Sequence, residues 1–340
     1  MTYTLPFTPS LLESHTIIDV RSPSEYGEDH IPTSLNIPLL NDEERAIVGT
    51  IYKEKGPREA RITGLGLVSH RFPEMVSRIV ETAGEKPLVI CCWRGGLRSR
   101  SVVNLLDLCG IHAAQLAGGY QSFRRSVLSF FEDVPSADRF VVLHGMTGVG
   151  KSALLTILAE RGEDVIDLEG IAHHRGSAFG GFGLFQDFSQ KRFETDLWDA
   201  FRKLSPDRAI VMEGESRRIG RYYLPGKLFE AMARARTVWC VASRPTRIRR
   251  LAGEYARQEY RGEILASLDR IRKRLGDERH RELRRLIDRW EVEAFTERLI
   301  DWYYDPLYYR SPVEHPDLVL DLESLEDAAD RLRQFLATGN

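Results

Sequence analysis

Cysteine is scarce. The 340-residue sequence holds four, Cys91, Cys92, Cys109 and Cys240, too few for a disulfide framework in a chain this long. No cysteine or histidine pair recurs at zinc-like spacing, which disfavours a metal cluster. Long apolar runs are missing too. None approaches the roughly 20 residues that a membrane-spanning helix needs, and the opening MTYTLPFTPS has neither the charged start nor the apolar centre of a secretion signal. The expected location is therefore the cytoplasm, where a conspicuous thiol points to chemistry rather than to cross-linking. No internal repeat or low-complexity tract is present, and 48 Lys+Arg against 50 Asp+Glu leave no overall field of one sign.

What is present is an alternation of short apolar runs and helical stretches. At 42% apolar and 29% charged, the 340 residues describe a soluble globular protein too long for one ordinary core. HTIIDV (His15 to Val20), PLVICC (Pro87 to Cys92) and IHAAQLAGGY read as strands, SPSEYGEDHIP as a helix start or loop, and LRSRSVVNLLDLCG as a helix ending at Gly110. The polar, proline-containing EDVPSAD (Glu132 to Asp138) marks a boundary between a first domain, 1–133, and a second, 134–340. The pattern restarts beyond it, with strands expected at RFVVLHG, DVIDLE, AIVMEGE, TVWCVAS and DLVLDLE and a helix at KSALLTILAERG. Such alternation predicts an α/β chain with parallel sheets in both domains. The arginine-rich block from Arg244 to about residue 300 carries apolar residues at three- and four-residue spacing and is expected as a helical insertion.

The stretch VICCWRGGLRS puts two thiols at the end of a buried strand, followed by glycines and two arginines. A strand, a glycine turn and a helix from about Arg98 would set Cys92 at a helix N-terminus. The backbone amides there, with Arg94 and Arg98, favour the thiolate and bind anions. Cys92 is therefore the candidate nucleophile toward an anionic substrate. Side chains alternate along a strand, so Cys91 should point into the sheet; Cys109 and Cys240 lie in apolar runs and read as core. These residues resemble rhodanese-like domains. The block from Ile18 to Leu39 matches the signature at Asp19, Arg21, Glu25, His30, Ile31 and Pro32, and LAGGYQSF matches near the domain's end. The resemblance implies that Cys92 carries sulfur or selenium. Arg98 stands six residues after Cys92 rather than five, a wider cradle that keeps a cysteine phosphatase open as a rival, although Cys91 stands where phosphatases carry histidine.

GMTGVGKS, from Gly145 to Ser152, satisfies G-x-x-x-x-G-K-S and lies between a strand and a helix, as a P-loop requires. The loop amides of Gly145, Thr147, Gly148, Val149 and Gly150 would cradle a diphosphate, Lys151 would reach its outer oxygens, and the Ser152 hydroxyl would ligate magnesium. Glu213 or Asp167, at later strand ends, would help hold the metal. No nucleobase-reading motif accompanies the loop. DLEGIAHHRGSAFGGFG (Asp167 to Gly183) sets His173, His174 and Arg175 among small residues, either as a segment that closes over an anion or as an inert surface loop.

Between Arg236 and Trp290 stand 16 Lys+Arg against 8 Asp+Glu. That is either an electrostatic footprint for RNA, with Tyr255 and Tyr260 to stack a base, or a solvated helix pair whose arginines meet acidic neighbours. The chain resembles one family through most of its length, the tRNA 2-selenouridine synthases. The residues that carry the match are DEERAIVGTIYKEKGPREARITGLGLV, CWRGGLRS, GMTGVGKS, DLEGIAHHRGSAFG and ESRRIG. The resemblance implies replacement of sulfur by selenium in the wobble 2-thiouridine of tRNA. Selenophosphate is the implied donor, geranyl diphosphate the source of a geranylated intermediate, and Mg2+ the accompanying metal. A monomer supplied by a selenophosphate-making partner, with no membrane association, is expected. An ATP-dependent tRNA sulfurtransferase or kinase, and a non-catalytic RNA-binding adapter, stand as alternatives.

Overall fold

Two runs of β-branched and apolar residues, buried on both faces, organise two separate sheets. The computed structural model describes residues 3–175, 179–181, 188–255, 257–308 and 314–338. The chain divides into two compact units, Met1–Glu132 with Phe188–Arg202, and Asp133–Asp187 with Lys203–Asn340. The fold class is α/β, as the alternation indicates, with a five-stranded parallel sheet in each unit.

In the first unit β1 (Thr4–Leu5), β2 (Thr16–Asp19), β3 (Leu35–Asn36), β4 (Leu88–Cys91) and β5 (Ala113–Leu116) lie in the order β1-β5-β4-β2-β3. Ile18 pairs with Ile90 and Asp19 with Cys91, so the signature aspartate and the first thiol reach the same end of the sheet. Ile17, Ile18, Val89, Ile90 and Cys91 are buried, which is why these short runs form central strands. SPSEYGEDHIP contains a helix, Pro23–Glu28, started by a capping box between Ser22 and Glu25.

The helix Gln190–Phe201 belongs to this unit, although the boundary at 133/134 assigned it to the second domain. Its apolar face, Phe193, Leu197, Trp198 and Phe201, is buried. Trp198 meets the ring of Phe123 edge-on at 5.4 Å and that of Phe7 at 6.2 Å, and Phe201 meets Phe130 at 5.5 Å. The second domain is thus interrupted, because the aromatic partners of this helix lie some seventy residues or more upstream.

In the second unit β6 (Phe140–Gly145), β7 (Asp164–Ile166), β8 (Ile210–Glu213), β11 (Arg236–Val241) and β12 (Leu318–Asp321) run parallel in the order β12-β11-β6-β8-β7. A small antiparallel hairpin, β9 (Arg218–Ile219) with β10 (Tyr222–Tyr223), follows β8. The helix Lys151–Glu160 buries Leu154, Leu155 and Leu158 in the core of this sheet, together with Ala328, Ala329 and Leu332 of Leu325–Ala337. Between β11 and β12 the insertion is a series of helices, the first Arg244–Tyr255 and the last Asp305–Tyr308, so that it runs further than expected. It has a core of its own, built on Leu251, Ile264, Leu268, Leu283, Ile287, Phe295 and Leu299.

Candidate functional site

Cys92 follows β4 and stands at the start of the loop before the helix Leu97–Leu108. It is only 3% exposed. Its sulfur accepts from the Gly96 N–H at 3.3 Å and lies 3.0 Å from Ser99 Oγ. The Gly-Gly pair of LAGGY braces this loop. Tyr120 N–H donates to Cys92 O at 2.8 Å and Gln121 N–H to Trp93 O at 3.1 Å. Gly119 has φ +58°, and a Cβ there would sit 2.1 Å from Cys92 O, so only glycine fits.

The expected cations divide. Arg94 is exposed. Arg98 donates to both carboxylate oxygens of Glu25, at 2.5 and 3.2 Å. Burial pushes the Glu25 carboxyl up, but Arg98 outweighs it and holds the group below its usual range. Asp19 and Arg21 form a fully buried pair, with Arg21 Nη2 donating to Asp19 Oδ2 at 2.7 Å and its guanidinium 4.1 Å from the centre of the Tyr120 ring. The Asp-x-Arg signature is therefore structural and supports the loop through Tyr120. Cys91 is buried and its thiol is pushed well up by desolvation. Cys240 is buried as well, its thiol raised by burial to about 12. Cys109, read as core, is exposed, because it caps the end of a helix at the surface.

Gly145 ends β6, and Gly148 and Gly150 take φ of +82° and +102°. That backbone turns loop carbonyls outward, and two arginines of the insertion meet them. Arg247 Nε donates to Thr147 O at 3.0 Å while its guanidinium pairs with Asp305 at 2.5 Å. Arg250 donates to Val149 O and, at 2.7 Å, to Leu322 O. Thr147 Oγ1 lies 3.0 Å from the Tyr308 hydroxyl, and Lys151 Nζ donates to Gly145 O at 3.4 Å. Burial works against the Lys151 ammonium, but Tyr308, Glu169 and Glu215 hold its pKa above the ordinary value.

Ser152 Oγ donates to Glu169 Oε2 at 3.0 Å. Glu213, the expected metal carboxylate, is fully buried and accepts the Leu168 N–H at 3.0 Å. Desolvation, Asp167 and Glu169 push its carboxyl well above the usual range. The carboxylate beside Ser152 is thus Glu169, which the sequence pattern did not single out, while Asp167 caps the helix Leu168–Ile171 through Gly170 N–H at 2.7 Å. Among the described residues no cluster of three or more His, Cys, Asp or Glu side chains is arranged to hold a metal. One hydroxyl and one carboxylate still suit magnesium, which keeps its waters and binds through few protein oxygens plus substrate phosphates.

Two family models match the chain. That of the tRNA 2-selenouridine synthase AAA domain covers residues 138–338, and that of the rhodanese-like domain residues 9–126. Proteins named tRNA 2-selenouridine synthase from Aeromonas salmonicida (strain A449) and Proteus mirabilis (strain HI4320) are 33% and 35% identical to it. The matches span 89% and 93% of this chain and 90% and 94% of those proteins. This chain belongs to the tRNA 2-selenouridine synthase family.

In this member of the tRNA 2-selenouridine synthase family the His173-His174-Arg175 stretch is tied down. Phe179, 1% exposed, is packed among Tyr255, Phe295 and Tyr304 in the insertion core. Arg175 N–H donates to Gly180 O at 2.9 Å, and its guanidinium stands 4.0 Å from Glu254. Residues 176–178 and 182–183 of the segment lie outside the described residues. The reading of the basic block needs correction as well. Arg247 and Arg250 serve the phosphate loop, and Tyr255 is buried with its hydroxyl 3.1 Å from that of Tyr304, so it cannot stack a base. Arg244, Arg261, Arg272 and Arg284 meet Asp301, Asp288, Asp277 and Asp269. Among the described residues no helix is long and apolar enough to cross a membrane.

Proposed function

We propose that this protein exchanges sulfur for selenium in the 2-thiouridine of tRNA, with geranyl diphosphate and selenophosphate as co-substrates. The observation that carries the reading is that one chain of this family holds two glycine loops of different chemistry, at Cys92 and at Lys151. One sets a thiol against the Gly96 N–H and the Ser99 hydroxyl; the other encloses a lysine between carboxylates and a tyrosine. In the first step the thiouridine sulfur attacks C1 of geranyl diphosphate, the C1–O bond breaks, diphosphate leaves and N3 gives up its proton. In the second, selenium adds at C2, the geranyl thiolate departs, and water takes the phosphoryl group from selenium as phosphate.

The P-loop unit suits the first step. Lys151 and the N-terminal amides of the helix Lys151–Glu160 would hold the diphosphate and stabilise the charge it gains on leaving. Ser152 and Glu169 would hold magnesium, which supplies Lewis-acid neutralisation of the same oxygens. Cys92 suits the second step, engaging the selenium donor in a water-poor loop. Single-step assays on thiolated tRNA test this division. Lys151→Ala should abolish geranylation, whereas Cys92→Ser should leave geranylation near wild type and abolish selenation. Equal loss of both steps in Cys92→Ser would overturn it.

A further inference from the structure

Gln115 is a polar residue in the middle of β5, between Ala114 and Leu116, and only 2% exposed. Its side-chain nitrogen lies 2.8 Å from Gly95 O, 2.9 Å from Gly96 O and 2.8 Å from Ser99 Oγ. Two of these partners are carbonyl oxygens, which only accept, so the amide must present its NH2 group to the loop. The reverse orientation would set three oxygens against one another. The amide has two N–H groups to share among these three acceptors, so Ser99 Oγ is held in the same clamp as the two loop carbonyls. The Ser99 proton has two acceptors in reach, Cys92 Sγ at 3.0 Å and Gly96 O at 3.3 Å, and a Cys92 thiolate, which has no proton to give, holds the shorter contact only as acceptor.

We propose that Ser99 is a catalytic hydrogen-bond donor to the Cys92 sulfur, and that Gln115 is the positioning residue that holds its hydroxyl against the sulfur. With the Gly96 N–H, also aimed at the sulfur at 3.3 Å, Ser99 supplies the second donor that a buried thiolate needs. Charge-assisted bonds of this kind are the strong ones, and a charge in a site nearly closed to water needs them. Arg98, engaged by Glu25, leaves this work to neutral donors. The same carbonyl clamp holds Gly95 and Gly96 in register with the sulfur, so Gln115 couples loop shape to thiolate formation. The inference rests on the reading of Cys92 as the reacting thiol.

The test uses the full-length protein and iodoacetamide, with alkylation of the Cys92 peptide followed by mass spectrometry against pH and exposed Cys109 as the internal reference. Loss of one hydrogen bond to a charged group predicts that Ser99→Ala slows Cys92 alkylation at pH 7 by about tenfold. The deficit should close at high pH, where hydroxide removes the Cys92 proton in either protein. Ser99→Thr, which keeps the hydroxyl, should restore the rate. Gln115→Glu should slow alkylation at least as much, because its carboxylate accepts where the amide donated and turns the Ser99 proton away. A wild-type pH profile in Ser99→Ala, or a deficit that persists undiminished at high pH, would overturn the proposal. Should Gln115→Glu fail to fold, the two Ser99 variants decide. Full selenation of tRNA by Cys92→Ser would instead remove the reading on which the proposal rests, and alkylation reports the hydrogen bond whichever way that assay falls.

Discussion

At the scale of single residues, the chemistry rests on groups held away from their solution behaviour. Glu215 is one case. Burial, then repulsion from Glu169, raises its carboxyl to about 7, against the pull of Lys151. A carboxyl whose folded pKa is raised adds stability in full below its unfolded value, near 4.5, and loses it as pH rises through about 7. In the absence of ligand and metal, the melting temperature should therefore fall between pH 5 and 7.5, and fall less steeply in Glu215→Gln; equal slopes in thermal scans would contradict this. Motif glycines and the thiol were legible at this scale because each motif position has one physical job. Glu169, Ser99 and Gln115 were not. Glu169 follows Asp167 by two positions, and nothing in one sequence tells which carboxylate turns toward Ser152 and which caps a helix. Gln115 reads as one polar residue in an apolar run; its meaning comes from the neighbouring strand and loop.

At the scale of elements, the arginine-rich insertion shows why composition alone misassigns charge. The helical spacing was legible, since apolar residues recur at three and four along Arg261–Leu275, but the partner of each arginine was not. Arg247 is buried against Asp305 and the phosphate loop, so reversing it would set a buried negative charge against half-buried Asp305 and test stability rather than RNA binding. Arg274, Arg281 and Arg285 are exposed on Arg261–Leu275 and Asp277–Asp288 and are the better probes. Reversing all three should weaken tRNA binding. If each neutralises a phosphate, the log–log salt slope should become shallower by roughly 0.9 for every phosphate no longer neutralised. Binding measured across a salt series with an unchanged slope would take the RNA face away from these helices.

At the scale of the whole molecule, two parallel sheets were readable from alternating strand and helix patterns. The return of Gln190–Phe201 to the first unit was not. Its amphipathic pattern identifies a helix with an apolar face but does not say which sheet that face covers; Trp198 and Phe201 find Phe7, Phe123 and Phe130 only once the chain has folded. The chain thus carries two chemically distinct loops, each built within its own unit. The account stands or falls on both acting on one nucleoside. Mass analysis of nucleosides from thiolated tRNA, incubated with the full-length protein, magnesium and geranyl diphosphate with and without selenophosphate, tests this most directly. The account predicts geranylated thiouridine without the donor and selenouridine with it. Neither product, from tRNA that still binds, would contradict it, and tRNA-stimulated nucleotide turnover would then favour the sulfurtransferase or kinase.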